Sequence, residues 1–286
     1  LGLPGETFNS WRRGLCEIVE AGQHNTVESW LAQLLENAHM NRPDEREKHQ
    51  LSTIVVENYI SGFEEEDNIP EKVELVTGTK DMPCDKFLEA WLYSWMINNF
   101  HNFGWSQAIT RFLRRYKNFT YLEMYDHLFQ ALKEDDGVVG GFYKHAKGQM
   151  EHYLETGIDS NMEDGWSGHT YMWQVQPDFH RNRQHIVDFV NKTFSTEYTE
   201  LDQALFTRLQ QFQHDYVTDE ATEYPYSSQH PYNFWEFING LDEFRERDTV
   251  YKINIGEDVK GKDYYDRFYF RRRQGWGKSV FNFKND

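Results

Sequence analysis

The stretch LGLPGETFNSW, Leu1 to Trp11, sets two glycines and a proline directly ahead of an acid, a hydroxyl and the start of an apolar run. Gly2 and Gly5 permit positive φ and close backbone approach, while Pro4 fixes the bend. A helix N-terminus is expected to follow, which favours anions and polar ligand groups. The pattern is the end of a strand turning into a helix, with Gly2, Pro4, Gly5 and Glu6 as candidate ligand-side residues. No Lys-Ser/Thr pair follows Gly5, so this is not a P-loop. Taken alone, the stretch also suits an ordinary strand-to-helix turn.

Downstream, Thr7 or Asn9 can cap a helix through WRRGLCEIVEAGQH. There Trp11, Leu15, Ile18 and Val19 recur at helical spacing, and Gly22 supplies the stop near His24. Val27 to Leu35 alternates as a strand would and ends in the loop ENAHM. LSTIVVENYI and KVELVTGTK are β-branched enough for two short strands, separated by the acidic connection Gly62 to Lys72. Asp81 or Asp85 can cap a helix continuing through KFLEAWLYSWMINNFHNFG, with Phe87, Trp91, Trp95 and Met96 on one broad face. Further helices are expected over Trp105 to Lys117, Thr120 to Lys133 with Thr120 and Glu123 as a capping box, Val138 to Glu155, Asp178 to Phe194 and Thr199 to Thr218. DEATEYPYSSQHPY reads as an irregular loop and TVYKINIG as a late strand. The chain thus divides near Pro83, into an α/β part, residues 1–83, and a mainly helical part, residues 84–286.

Composition bounds the function. The 286 residues carry 47 acids against 30 bases, a formal charge of −17, which argues against a general nucleic-acid or anionic-membrane surface, since both need a cationic face. Aromatic content of 16% contradicts disorder and makes the rings a main source of core. No apolar run reaches the roughly 18 residues needed to span a bilayer, and no signal peptide is evident; a cytoplasmic location is expected. Two cysteines, Cys16 and Cys84, build no disulfide framework.

Sharper motifs fail on inspection. RRRQGWGKS ends in the GKS of a Walker A loop, but its first glycine would fall on Arg272. GWSGH, Gly165 to His169, has histidine where a nucleophile elbow needs its second glycine. His145 and His152 share a helical spacing without a third ligand, and no metal site is expected. Tyr224, Tyr226, Tyr232 and Trp235 sit around Pro225 and Pro231 in what reads as an aromatic loop, and they are candidate substrate-binding residues.

LGLPGETFNSWRRGLCEIVEAGQHN, then a strand, LLENAHM, and VTGTKDMPCDKFLEAWLYSWMINNFHNFG together resemble the C-terminal part of radical S-adenosylmethionine enzymes of the cobalamin-binding type. The resemblance implies a remnant of a partial (β/α)6 barrel followed by a helical C-terminal region. In the complete enzyme a CxxxCxxC segment would bind a [4Fe-4S] cluster, S-adenosylmethionine would lie against the GLPGET-like turn, and cobalamin is a candidate methyl carrier. Gly2, Pro4, Gly5 and Glu6 match the turn, by backbone N–H groups and the Glu6 carboxylate. Asn37 and Met40 match the end of the last barrel strand, where Glu36 and His39 replace two prolines of the family pattern. Cys16 and Cys84 belong to no cluster motif, so the expected partner is a missing N-terminal half or a companion subunit carrying it. The substrate is expected to be a small molecule, sugar or peptide. The competing reading is a non-catalytic helical module whose aromatic loop grips a saccharide or a protein.

Overall fold

The computed structural model describes residues 1–25, 27, 29–57, 72–158, 175–217, 222–223, 225–254 and 282–285. The GWSGH and RRRQGWGKS motifs and Tyr224 lie outside them. The architecture is mixed α/β, with most of the helix in the second part of the chain.

Helix α1 (Phe8–Glu20) is fixed at both ends by its own sequence. Thr7 is the cap: its side chain accepts from the Ser10 N–H, and the Ser10 hydroxyl accepts from the Thr7 N–H at 2.8 Å. The helix stops four residues before His24, at a Schellman turn in which Gly22, at φ +95°, and Gln23 return their N–H groups to Val19 and Ile18. The buried face is Leu15, Cys16 and Val19.

The first sheet has the order β1 (Gln33–Leu34), β3 (Lys72–Gly78), β2 (Ser52–Glu57), and both of its ladders are antiparallel. The expected strand over Val27 to Leu35 shrinks to two ladder residues. Upstream of them, the Leu1 amine donates to the Trp30 carbonyl at 2.7 Å, and the Ala32 N–H donates to the Leu1 carbonyl at 2.8 Å. That alternation is the hydrogen-bond pattern of a parallel pair. The short strands expected over LSTIVVENYI and KVELVTGTK form, as antiparallel neighbours; a (β/α)6 barrel is built from parallel strands, and among the described residues the parallel pattern is seen at Leu1. Between β1 and β2, helix α2 (Pro43–His49) is clamped to the sheet by Arg46, whose guanidinium contacts both Glu74 carboxylate oxygens, Asn41 and Thr53.

Helix α3 (Cys84–Met96) is the axis of the molecule, and it runs on as a π-helical turn over Ile97–Asn102. The expectation of one broad apolar face understates it. From Phe87 to Met96 every residue but Glu89 is buried, because α1 packs on one side and α6 (Val138–Thr156) on another. Around α3 stand α4 (Gln107–Tyr116) and α5 (Tyr121–Glu134); the latter is capped as expected by the reciprocal Thr120 and Glu123 contacts. The helix expected over Asp178 to Phe194 is broken at Asn182 into α7 (Gln176–Arg181) and α8 (Arg183–Thr193). The one expected over Thr199 to Thr218 becomes α9 (Thr196–Thr199) and α10 (Gln203–Tyr216), separated by Glu200 in the left-handed region.

The expected loop over Asp219 to Tyr232 is corrected. Tyr226–Tyr232 is a strand, β4, paired antiparallel with β5 (Glu246–Asn254), which in turn pairs with β6 (Asn282–Asn285). A five-residue helix, α11 (Phe234–Ile238), joins the hairpin to α4. One buried cluster runs from Leu1 to Tyr251, across the division at Pro83. Its largest members are rings: Phe112 meets Phe234, Phe237 and Phe244 edge-on at 5.0 to 5.6 Å, the geometry that ring quadrupoles favour.

Two adjacent glycines of α6 give a test of this packing. A Cβ on Gly140 would lie 1.8 Å from the Asp135 carbonyl oxygen, whereas one on Gly141 meets nothing within 4 Å. Gly140→Ala is expected to cost at least ~2 kcal/mol, and Gly141→Ala to be neutral or stabilising by up to ~1 kcal/mol through helix propensity. Urea unfolding of the two variants side by side checks the contrast.

Candidate functional site

From Leu1, bonded to the segment just before β1, the chain reverses in a tight turn, closed by the Glu6 N–H on the Leu3 carbonyl at 3.2 Å. Its two glycines have different reasons to be glycine. Gly2, at φ +99°, is buried, and a Cβ there would sit 3.0 Å from Val76 Cγ1 and 3.1 Å from Phe87 Cε2. Gly5, at φ +84°, would place a Cβ in open space. The turn is therefore backed by protein at one glycine and open at the other.

The two N–H groups expected to meet a ligand already have partners. Gly2 donates to Glu6 Oε2 at 3.1 Å, and Gly5 donates to Asp81 Oδ2 at 3.2 Å. The turn thus presents a second oxygen on each of two carboxylates, beside the half-buried Pro4 ring and the exposed Leu3 side chain. The expected donors and acceptor were backbone N–H groups and the Glu6 carboxylate; with these two N–H groups occupied, the arrangement offers acceptors and negative charge, and it suits a ligand rich in N–H and O–H donors or carrying a cation.

Asp81 was read from the sequence as a helix cap, and it is not one. The residue in the capping position of α3 is Pro83, with no side-chain cap, and Asp85 lies in the first turn of the helix. Asp81 instead stands on a short turn in which Thr79 and Met82 exchange backbone hydrogen bonds, while the Thr79 hydroxyl accepts from the N–H groups of Asp81 and Met82. The sequence signal was the Thr-x-Asp spacing, an ST-turn that presents the acid. Farther along, Asn37 to Met40 forms a turn onto a single 3-10 stretch, His39–Asn41.

Of the aromatic candidates, the three described residues are half-buried. The Tyr226 hydroxyl donates to Asp215 Oδ1, Tyr232 stacks on Phe244 at 5.3 Å, and Trp235 lies against Tyr216 at 6.3 Å. Asp215, Ser228 and His230 next to them do not make a catalytic triad. Ser228 Oγ and Asp215 Oδ2 both approach His230 Nε2, at 3.0 and 3.2 Å, whereas a relay needs the acid on the opposite ring nitrogen. Burial opposes charge on Asp215, yet hydrogen bonds from His214, His230 and Tyr226 hold its carboxyl well below the usual range.

Sequence reasoning passed over a second polar constellation, in the run INNFHN. His24 Nδ1 faces His101 Nε2 at 3.2 Å, and the other nitrogen of His101 faces the Tyr125 hydroxyl, which reaches Thr110 Oγ1. Gln107 donates to the carbonyls of His24 and His101 at 2.7 and 2.8 Å and accepts from the Tyr216 hydroxyl. Burial, reinforced by the positive charge of Arg111, pulls the His24 imidazole down to about 3. Among the described residues no group of three or more His, Cys, Asp or Glu side chains is placed to hold a metal, and no helix is long and apolar enough to cross a membrane.

No family profile matches the chain. It is 28% identical over 156 residues, 54% of its own length, to the cobalamin-dependent radical SAM methyltransferase TokK of Streptomyces tokunonensis, and covers 23% of that protein. Over 231 residues, 74% of the chain, it is 24% identical to 2-(S-pantetheinyl)-carbapenam-3-carboxylate methyltransferase of Streptantibioticus cattleyicolor and covers 34% of it. The chain therefore spans between a quarter and a third of the length of the curated relatives it matches, and it is distantly related to cobalamin-dependent radical SAM methyltransferases.

His24 makes the fold acid-sensitive in a defined window. A histidine held near 3 in the folded state and free to titrate near 6.5 when unfolded contributes stability that is complete above the unfolded value and is lost as pH falls from there towards 3, since the unfolded chain takes up the proton first. Stability curves of the wild type and His24→Gln, compared between pH 6.5 and 4.5, are expected to differ in slope by at most about 1 kcal/mol per pH unit, the ceiling being lowered by solvent around a half-buried ring.

Proposed function

We propose that this chain is the downstream portion of a radical SAM enzyme, a methyltransferase by its distant relatives, and that the Leu1–Glu6 turn is its S-adenosylmethionine side. The observation that carries the reading is the turn itself. It leaves a residue bonded in the parallel pattern, enters a capped helix, is open at Gly5, and has the carboxylates of Glu6 and Asp81 on it. S-adenosylmethionine carries a sulfonium cation, an ammonium group, ribose hydroxyls and an adenine amine against one carboxylate, a net positive charge, so a turn that offers acceptors and negative charge fits its cationic and donor groups. When bound it supplies the methyl or radical chemistry of the reaction. What this chain does is bind and orient: the carboxylates meet donors, the open backbone at Gly5 admits the ligand, and Val76 and Phe87 behind Gly2 keep the turn from yielding.

The residues present do not fit an iron-sulfur cluster. The sequence has two cysteines, Cys16 is buried with its thiol pushed up to about 12 by burial, and Cys84 is exposed at the start of α3. Three thiolates of one loop are needed, so in this reading the cluster, and cobalamin where it is used, are held by other parts of the natural chain or by a companion subunit. No step is assigned to them here. The substrate is proposed to be a small molecule, a sugar or a peptide.

The experiment is anaerobic purification of the full natural protein, with iron analysis, absorbance spectroscopy and equilibrium dialysis against labelled S-adenosylmethionine. Iron, a charge-transfer band and saturable binding are expected. A protein with neither iron nor S-adenosylmethionine affinity ends the proposal. Within it, Gly5→Ala adds a methyl on the open side of the turn, and is expected to weaken S-adenosylmethionine about tenfold while costing the fold only the ~1 to 2 kcal/mol of a left-handed alanine.

A further inference from the structure

We propose that Asp81 is a positioning residue for the Leu1–Glu6 turn, joining the ligand side of the molecule to the helical region; this rests on the reading of that turn as the S-adenosylmethionine side. The two glycines of the turn are both held by one short segment, residues 76–87, but by different means. At Gly2 the hold is packing, since Val76 and Phe87 are fully buried and lie at contact distance from the glycine. At Gly5 there is no packing neighbour to do this work, and the backbone sits in the left-handed region with its N–H on Asp81 Oδ2. A glycine visits the right- and left-handed regions with equal ease, so one with open space around it keeps a single geometry only if a contact fixes it. The carboxylate of Asp81 is in place to do so, from 76 residues away in sequence.

Asp81 is itself held. Its N–H and that of Met82 both donate to the Thr79 hydroxyl, Thr79 and Met82 exchange backbone bonds, Lys80 donates to the His49 carbonyl, and Met82 is fully buried. The acid therefore projects from a closed turn and not from a free loop, and its position follows the start of α3 three residues on. A shift of α3 moves Asp81 and Phe87 together, and with them both ends of the ligand turn. Two carboxylates also divide the work on the turn. Glu6 closes the turn on itself through Gly2, and Asp81 fastens it to the rest of the molecule through Gly5.

The test compares wild type, Asp81→Ala and Asp81→Asn in the full natural protein. Three quantities are read: S-adenosylmethionine affinity by equilibrium dialysis, amide hydrogen exchange of the peptide containing Gly5 without ligand, and melting temperature. Asp81→Ala is expected to weaken S-adenosylmethionine about tenfold and to speed exchange at Gly5, with the melting temperature moved by no more than about 4 °C. Asp81→Asn is expected to restore the protection at Gly5, because its amide oxygen accepts the same N–H, and to recover the affinity in part, because the negative charge it offers the ligand is gone. Equal affinity of wild type and Asp81→Ala, unchanged exchange at Gly5, or a loss that tracks melting temperature alone and is not rescued by asparagine overturns the inference. A wild type that binds no S-adenosylmethionine overturns the functional reading instead, and the exchange at Gly5 then decides the Asp81 contact by itself.

Discussion

Gln107 joins three parts of the chain through one buried amide. Its amide donates to the carbonyl of His24, just past the end of α1, and to the carbonyl of His101, in the π-helical turn; its oxygen accepts from Tyr216 at the end of α10. It is 2% exposed, so a lost partner leaves a polar atom of its own amide buried and unpaired, at a cost of roughly 1 to 3 kcal/mol. The wider i to i+5 spacing of Ile97–Asn102 releases backbone carbonyls that such side chains then take up. Asn102 does the same for the next carbonyl of the loop, at Val27, and Gln213 caps the start of α4 through Ala108 while donating to the Gly104 carbonyl. Amides of the helical region thus hold the segment between α1 and β1 at His24 and Val27, while the sheet holds it at Ala32, whose carbonyl accepts from the Val76 N–H.

That dependence decides how the α/β part and the helical part relate. A boundary near Pro83 separates them by secondary structure, yet the α1 side chains reach across it. Trp11 donates to Ser94, Arg12 pairs with Asp126, and Cys16 approaches the Tyr93 hydroxyl that itself donates to Asp126. These contacts run along one side of α3 while the ligand turn rests on its beginning, through Phe87. One helix therefore serves as floor for the turn and as wall for α1, and its near-complete burial follows from having no solvent side left.

Much of this was legible where the signal is local. Thr7, Gly22 and the Thr120–Glu123 pair act through neighbours three or four residues away, and a single sequence contains all that such contacts need. The losses come from contacts at long range. SSQHPY reads as a loop because proline and small polar residues dominate it, but β5 supplies a ladder partner, and alternate residues Ser228 and His230 turn inward. Asn182 and Glu200 interrupt helices whose apolar periodicity runs straight through them. The run INNFHN keeps the spacing of an apolar helix while carrying three asparagines and a histidine into the core; their partners, Val27 and Gln107 among them, are distant in sequence or across a bend. The Leu1–Glu6 turn has the positive φ at Gly2 and Gly5 that its glycines imply, whereas the acid that meets the Gly5 N–H lies 76 residues on, beyond the reach of a local signal.

The change from donors to acceptors at the turn bears on what can bind. Backbone N–H groups at a helix entrance favour phosphate and carboxylate groups, whereas two carboxylates with spare oxygens repel them and attract cations and amines. The chain as a whole leans the same way, with 17 more acids than bases. A nucleotide phosphate is therefore a poor occupant of this turn. A nucleoside that carries positive charge and hydroxyl or amino donors is a good one, and S-adenosylmethionine is such a molecule. One of the two distant relatives carries that ligand in its name, and the proposal that it binds here rests on the sign of the turn's charge and the polarity of its bonds.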